Sequence, residues 1–187
     1  MPSPVAHFSM GAFLWFFLKD HMGAGWQRTR LPRWTLLGLF LLFSILPDFD
    51  AVLGILAGDM YRFHNQQSHS IFFGILVSAV LAVGLHALLR VMSFARFPEV
   101  SRKKWIFVIC LSYQLHLLMD LFTHGRGLRL FWPLTSERVP APVELFVGLR
   151  WSKGIWSSAH WLTLANELLF SLCLFLICLL ASRRRSR

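Results

Sequence analysis

The chain has 187 residues, of which 56% are hydrophobic and 15% charged, and its net charge is +10 at neutral pH. So apolar a composition excludes a disordered chain and is unusual for a soluble domain, where about a quarter of residues are charged. Basic charge beside long apolar runs marks membrane orientation before nucleic-acid binding, and Cys110, Cys173 and Cys178, all inside apolar runs, suggest neither a disulfide framework nor a zinc ribbon.

A helix needs about 20 mainly apolar residues to cross a bilayer, and five segments are candidates. Val5–Leu18 is short and aromatic, with His7 near its start and Lys19 and Asp20 after it. It lacks a basic region before it and a clean cleavage site after it, so it is expected to remain as a helix rather than leave as a signal peptide. Trp34–Ala57 is apolar apart from Ser44, Asp48 and Asp50, and Pro47 is expected to break it. Ile71–Leu89 holds one histidine, His86, near its end; Ser70 is placed to cap it. Trp105–Phe122 carries His116 and Asp120 in its last third. Residues 124–159, with Gly125, Gly127, Pro133, Pro140 and Pro142, read as an irregular region folded over one face. Trp161–Leu180, interrupted by Asn166 and Glu167, ends in Arg183, Arg184, Arg185 and Arg187.

Charge sorts the connections into two sides. Threading five spans alternately puts 13 basic residues and two acids on one side, against six of each on the other. The richer side holds Lys19, Arg28, Arg30, Arg33, Arg90, Arg96, Arg102, Lys103, Lys104 and the C-terminal arginines, with Asp20 and Glu99. The poorer side holds Arg62, Arg126, Arg129, Arg138, Arg150 and Lys153 with Asp48, Asp50, Asp59, Asp120, Glu137 and Glu144. Because Lys and Arg concentrate in cytoplasmic loops, the N-terminus is expected outside and the C-terminus inside. The arginine tail serves as an orientation anchor, and no nucleic-acid partner is expected.

The histidines play no part in that sorting. Yet His7, His64, His69, His116, His124 and His160 fall on the outer side, and only His21 and His86 at the inner one. Depth arithmetic agrees: at 1.5 Å per residue, Trp34 to Pro47 and Trp105 to a point between His116 and Asp120 both span roughly 20 Å. Asp48, Asp50, His116 and Asp120 then come level just beneath the outer surface. Carboxylates at such depth are costly and usually functional, and a divalent cation would remove most of the cost.

His116, Asp120 and His124 lie at i, i+4 and i+8, one stripe if the helix continues. Asp48 and Asp50 follow Pro47, where a broken helix lets both face a cation, given that such backbone lines a protein cavity. His64 and His69, with Ser68 and Ser70, open the third span. Each pattern alone has a plainer reading: a polar stripe, an interfacial turn, a solvated loop. Their convergence at one depth is what a metal site requires. Glu144, His160 and Glu167 are spare candidates, and His21 and His86 read as packing or interfacial. Arg126, Arg129 and Arg138 follow the stripe; guanidinium groups bind phosphate in a fork geometry, and Arg129 is the first choice for substrate contact.

The order His7, then Leu-Pro-Asp48-Phe-Asp50, then His64…Ser68-His69-Ser70, then His116-Leu-Leu-Met-Asp120, then Gly127…Leu130-Phe-Trp-Pro133 resembles the LexA-regulated, membrane-bound metal-dependent hydrolases of bacteria and archaea, the YdjM-like family. The resemblance covers residues 5–140, with Asn65-Gln66 standing where the family usually has Arg-Gly and His124 where it often has Thr. It implies a metal site similar to that of zinc-dependent phospholipase C and the S1/P1-type nucleases, with His7, Asp48, Asp50, His64, His69, His116 and Asp120 as ligands. His124 is an added ligand or a variant.

The expectation is therefore one all-α domain over residues 1–187, a polytopic helical bundle of about five transmembrane helices in the bacterial inner membrane. Its metal site lies at the outer, periplasmic end. Two or three zinc-like ions would serve hydrolysis of a membrane lipid at a phosphoester bond, with Asp50 as the base and Ser68 and Arg129 touching substrate. Two alternatives stand beside it: hydrolysis of a lipid amide, as at intramembrane ceramidase-type sites, and a metal or proton transporter. A transporter needs polar groups across the whole thickness, and the inner halves of these helices are nearly bare of them.

Overall fold

The computed structural model describes residues 2–22, 33–58, 64–92, 100–149 and 157–185. Of the charged residues that sort the connections, Arg28, Arg30, Asp59, Arg62, Arg96, Glu99, Arg150, Lys153 and Arg187 lie outside the described residues.

Among the described residues six α-helices make the fold: α1 (Pro4–Leu18), α2 (Arg33–Ser44), α3 (Phe49–Leu56), α4 (Ile71–Met92), α5 (Arg102–Leu121) and α6 (His160–Arg185). No β-strand occurs among the described residues; Thr123 and Phe146, and Leu128 and Val139, form isolated bridges. Among the described residues three helices are long and apolar enough to cross a membrane: Ile71–Leu89, Arg102–Leu121 and His160–Arg184. The bent pair Trp34–Ser44 and Leu46–Leu56 makes a fourth if it counts as one span. Three or four of the five expected spans are thus supported by length and composition. Helix α1 has 15 residues, about 22 Å at 1.5 Å per residue, short of the hydrocarbon thickness of roughly 30 Å.

Pro47 acts as its chemistry requires. It has no N–H to donate, and its ring collides with the carbonyl four residues back. Helix α2 stops at Ser44, a 3₁₀ turn covers Leu46–Asp48, and α3 leaves at 59° to α2. Serines cap the next two helices. The Ser70 hydroxyl accepts from Phe73 N at 3.0 Å, and that of Ser101 accepts from Lys104 N at 3.4 Å.

Helix α5 is the central element. It packs on α4 along one side and on α2 along the other, while α1 lies against α2 and α6. Leu36, Phe40, Trp105 and Ile109 fill the core between α2 and α5; Tyr113, Leu117, Leu128 and Leu130 form a second cluster under the irregular region. Close approach depends on glycine at two places. A Cβ on Gly11 would come within 2.9 Å of the Phe40 carbonyl, and one on Gly74 within 2.6 Å of the Tyr113 ring. Small residues at such crossings are how helices pack without a hydrophobic drive between them. At one end of the bundle Lys104 Nζ donates to the His21 carbonyl at 2.6 Å, so the end of α1 and the start of α5 share a face. The start of α1, the break after α2, the start of α4 and the end of α5 gather at the other.

Candidate metal centre

Four elements deliver the site. The break at Pro47 presents Asp48 and Asp50. The 3₁₀ turn Gln67–His69 before α4 presents His69, and the last turns of α5 present His116 and Asp120. Helix α1 adds His7. His7, His69, His116 and Asp120 are buried.

One ligand atom from each of Asp48, His69, His116 and Asp120 falls within 4.8 Å of the other three. His69 Nε2 lies 3.6 Å from Asp48 Oδ1 and 3.2 Å from Asp120 Oδ2. His116 Nε2 lies 3.5 Å and 3.4 Å from the same two oxygens. Donors at 2.0–2.1 Å around a tetrahedral ion are separated from one another by about 3.3 Å, so these four distances match the edges of such a shell. All four atoms are buried without a hydrogen-bond partner. Unpaired buried polar groups are costly, and a bound cation would satisfy all of them at once.

The ring nitrogens are oriented for that task. His116 Nδ1–H donates to the Ser44 carbonyl at 2.8 Å. That oxygen is among the acceptors freed where α2 ends. His69 Nδ1–H donates to Ser68 Oγ at 3.0 Å, and Ser68 donates in turn to Asp50 Oδ2. Each bond fixes the tautomer whose Nε2 lone pair faces the two carboxylates, the usual arrangement behind a metal-bound histidine. Burial alone would lower the His69 pKa, but the carboxylates of Asp120, Asp48 and Asp50 outweigh it and raise it well above the usual histidine value.

A second group, Asp48, Asp50 and His64, shares Asp48 with the first. His64 Nδ1–H donates to Asp50 Oδ1 at 2.6 Å, and Asn65 N donates to Asp50 Oδ2 at 3.2 Å. Both oxygens of Asp50 are thus engaged, which suits orienting His64 and His69 better than accepting a proton from a nucleophile. His7 joins the cluster by another route. Its ring stacks on His116 with centroids 3.7 Å apart, and its Nε2 lies 3.5 Å from Asp120 Oδ1.

The other expected site residues have different positions. Helix α5 ends at Leu121 and the chain turns so that His124 N bonds the Phe146 carbonyl at 3.0 Å. The stripe through His116 and Asp120 therefore stops before its third member: His124 is exposed and pairs with Glu144 at 2.8 Å. Ser68 links Asp50 to His69 instead of presenting a free hydroxyl to substrate. His160 stands at the start of α6, outside both groups. Glu167 is buried at the opposite edge of α1, where it accepts from Ser3 N at 2.5 Å and from the Ser3 hydroxyl. Ser3 caps α1, so Glu167 pins the helix that carries His7.

Two arginines build the site without touching it. Arg126 donates to the His64 carbonyl. Arg138 donates to the carbonyls of Asn65 at 3.2 Å and Gly127 at 2.9 Å, and to Gln66 Oε1 at 3.2 Å. They brace a segment in which Asn65 has a φ of 63°, a conformation asparagine tolerates better than most residues. Burial, then the positive charges of Arg126 and Arg129, lowers the Arg138 pKa. Arg129 keeps its Nε buried without a hydrogen-bond partner. Tyr113 braces the same stretch through its hydroxyl, which donates to the Ser68 carbonyl at 2.5 Å. In sequence these residues carry only the plain signals of loop arginines and a core tyrosine.

The chain matches the model of the YdjM inner membrane protein family over residues 1–185. It belongs to that family and is an integral inner-membrane protein. No curated protein and no solved structure matches it.

Proposed function

We propose that this member of the YdjM inner membrane protein family is a metal-dependent hydrolase acting on a membrane lipid at the outer leaflet, by cleavage of a phosphoester bond. The carrying observation is the set of four buried, unpartnered ligand atoms on Asp48, His69, His116 and Asp120 at tetrahedral spacing. His and Asp donors without Cys suit zinc, and equally manganese or iron.

A cation held there supplies a nucleophilic water near neutral pH and a Lewis acid for the ester oxygen. The chain's own groups do the rest. Asp48, common to both groups, is placed to bridge two ions. Asp50 and Ser68 hold His69 in its working tautomer, and with both its oxygens engaged Asp50 serves as a positioning residue in place of the expected base. Arg129, whose Nε is buried without a hydrogen-bond partner, is the first guanidinium group to test for contact with a phosphate. The basic bias of the connections supports a site at the periplasmic end, with the N-terminus outside, provided α1 crosses as a fifth span.

Elemental analysis of purified protein, together with hydrolysis assays on phospholipids and on N-acyl lipids, tests the reading. His116→Ala and Asp120→Ala should fold but lose both metal and phospholipid turnover. Full turnover in a metal-free double variant would refute the reading, and turnover confined to N-acyl lipids would replace the phosphoester with an amide.

A further inference from the structure

Beside the metal centre lies a cavity of about 220 Å³ lined by Pro2, Pro4, Ile45, Asp48, Phe49, Ala51, Val52, His64 and Leu149. We infer that it is a binding pocket for one acyl chain of a membrane lipid, with the reacting headgroup bond held at its Asp48–His64 end. The inference rests on the hydrolase reading for what happens at that end, but not for the pocket's occupancy.

Three observations select this occupant. The wall is apolar except at Asp48 and His64, which both belong to the second group of candidate ligands, so the single polar edge of the pocket is the reactive one. The size takes the headgroup-proximal segment of such a chain: an apolar cavity of roughly 150 Å³ already accepts a benzene ring. The approach is apolar too. Phe49 and Val52 line the cavity and are 46% and 47% exposed, and the same helix turns Leu53 and Leu56 outward at 57% and 79%. That helix is half of the bent pair apolar enough to span a membrane. A water-soluble phosphoester would enter past these side chains and find no Lys or Arg among the described residues of the wall. A hydrocarbon chain loses nothing by the passage, since it leaves one apolar medium for another.

The test uses full-length protein in vesicles of phosphatidylcholine that include a phosphatidylcholine with a diazirine in one acyl chain. After illumination, labelled residues are mapped by mass spectrometry, in untreated and chelator-treated protein, with metal content measured in parallel. Label should concentrate on Phe49, Val52 and Leu149. Ala51→Trp, and independently Leu149→Trp from the opposite wall, should lower that labelling about tenfold, the worth of roughly two buried methylene groups, with metal content unchanged. Label spread evenly over the outward faces of α4 and α6, with no enrichment at the pocket, would overturn the inference. So would enrichment that survives both tryptophans in folded, metal-replete protein. Enrichment at the pocket in protein that never binds metal would leave the acyl site standing and remove the hydrolase.

Discussion

The sharing of Asp48 between two ligand groups makes a quantitative prediction. Asp48→Asn keeps the shape of the side chain and removes its charge. Because Asp48 belongs both to the group with His69, His116 and Asp120 and to the group with Asp50 and His64, the variant should lose two ions where His64→Ala loses one. Each ion stabilises the fold by about 4 kcal/mol when free metal is a thousand times its Kd. For a chain of this length 1 kcal/mol is worth roughly 2–4 °C in Tm, so each ion adds about 10 °C. The assay is metal content per chain by elemental analysis, with thermal unfolding measured in excess metal and in chelator. Wild type should hold two ions and lose about 20 °C on chelation, by the same scaling. His64→Ala should lose about half of that span, and Asp48→Asn should show almost no dependence on metal. Equal loss of one ion in both variants would show that the groups are independent and that Asp48 is not shared.

The neighbouring contacts make further predictions. Glu167→Ala removes the acceptor of Ser3 N and Oγ; charged hydrogen bonds are worth about 1.5–3 kcal/mol each, so unfolding should shift by several degrees and metal affinity should fall as His7 loses its support, whereas Glu167→Gln should recover part of both. Arg138→Ala leaves the carbonyls of Asn65 and Gly127 and the Gln66 side chain without their donor, and should cost the ion at His64 while sparing the one at His116, as read by metal content. Acidity should act in opposite directions with and without metal. The His69 pKa is raised, so its contribution to the metal-free fold is full below the ordinary histidine value and is lost as pH rises through the raised one. Metal must displace that proton, so metal affinity should increase with pH over the same range. Thermal unfolding against pH, in chelator and in excess metal, should give slopes of opposite sign.

Much of the site is legible in the sequence because its chemistry stands out against an apolar background. His116 and Asp120 are one helical turn apart in a segment otherwise fit to span a membrane, and Pro47 announces the break that turns Asp48 and Asp50 inward. What the sequence hides is decided at a distance. His124 continues the spacing of the stripe, but α5 has already ended at Leu121 because the chain pairs with Phe146. Ser68 looks like an exposed hydroxyl until Asp50, 18 residues earlier, accepts its hydrogen bond. Arg126 and Arg138 resemble phosphate ligands in composition, yet they serve backbone carbonyls 62 and 73 residues away. Glu167 sits in an apolar run like a misplaced ligand and turns out to hold a helix cap 164 residues away. The number of spans is legible only in part: apolarity marks α1 as a fifth candidate, but its 15 residues fall short of the usual crossing length.

The two kinds of His–Asp distance in the cluster separate an ion-pair network from a cation cage. A hydrogen bond from an imidazole N–H to a carboxylate closes to about 2.7–2.9 Å, because the bridging hydrogen draws both atoms in. His64 and Asp50 come closer still, at 2.6 Å. His69 and His116 do not: their four contacts with Asp48 and Asp120 stand at 3.2–3.6 Å, although all of these side chains are packed in a region where closing the gap would be rewarded most. Their second ring nitrogens are already committed to Ser68 and to the Ser44 carbonyl, so each ring is held by its far side with its near side stopped short of the acid. A pair that merely neutralised itself would need no such restraint. Two imidazoles braced from behind and kept a tetrahedral edge from two carboxylates form a shell sized for an ion larger than a proton.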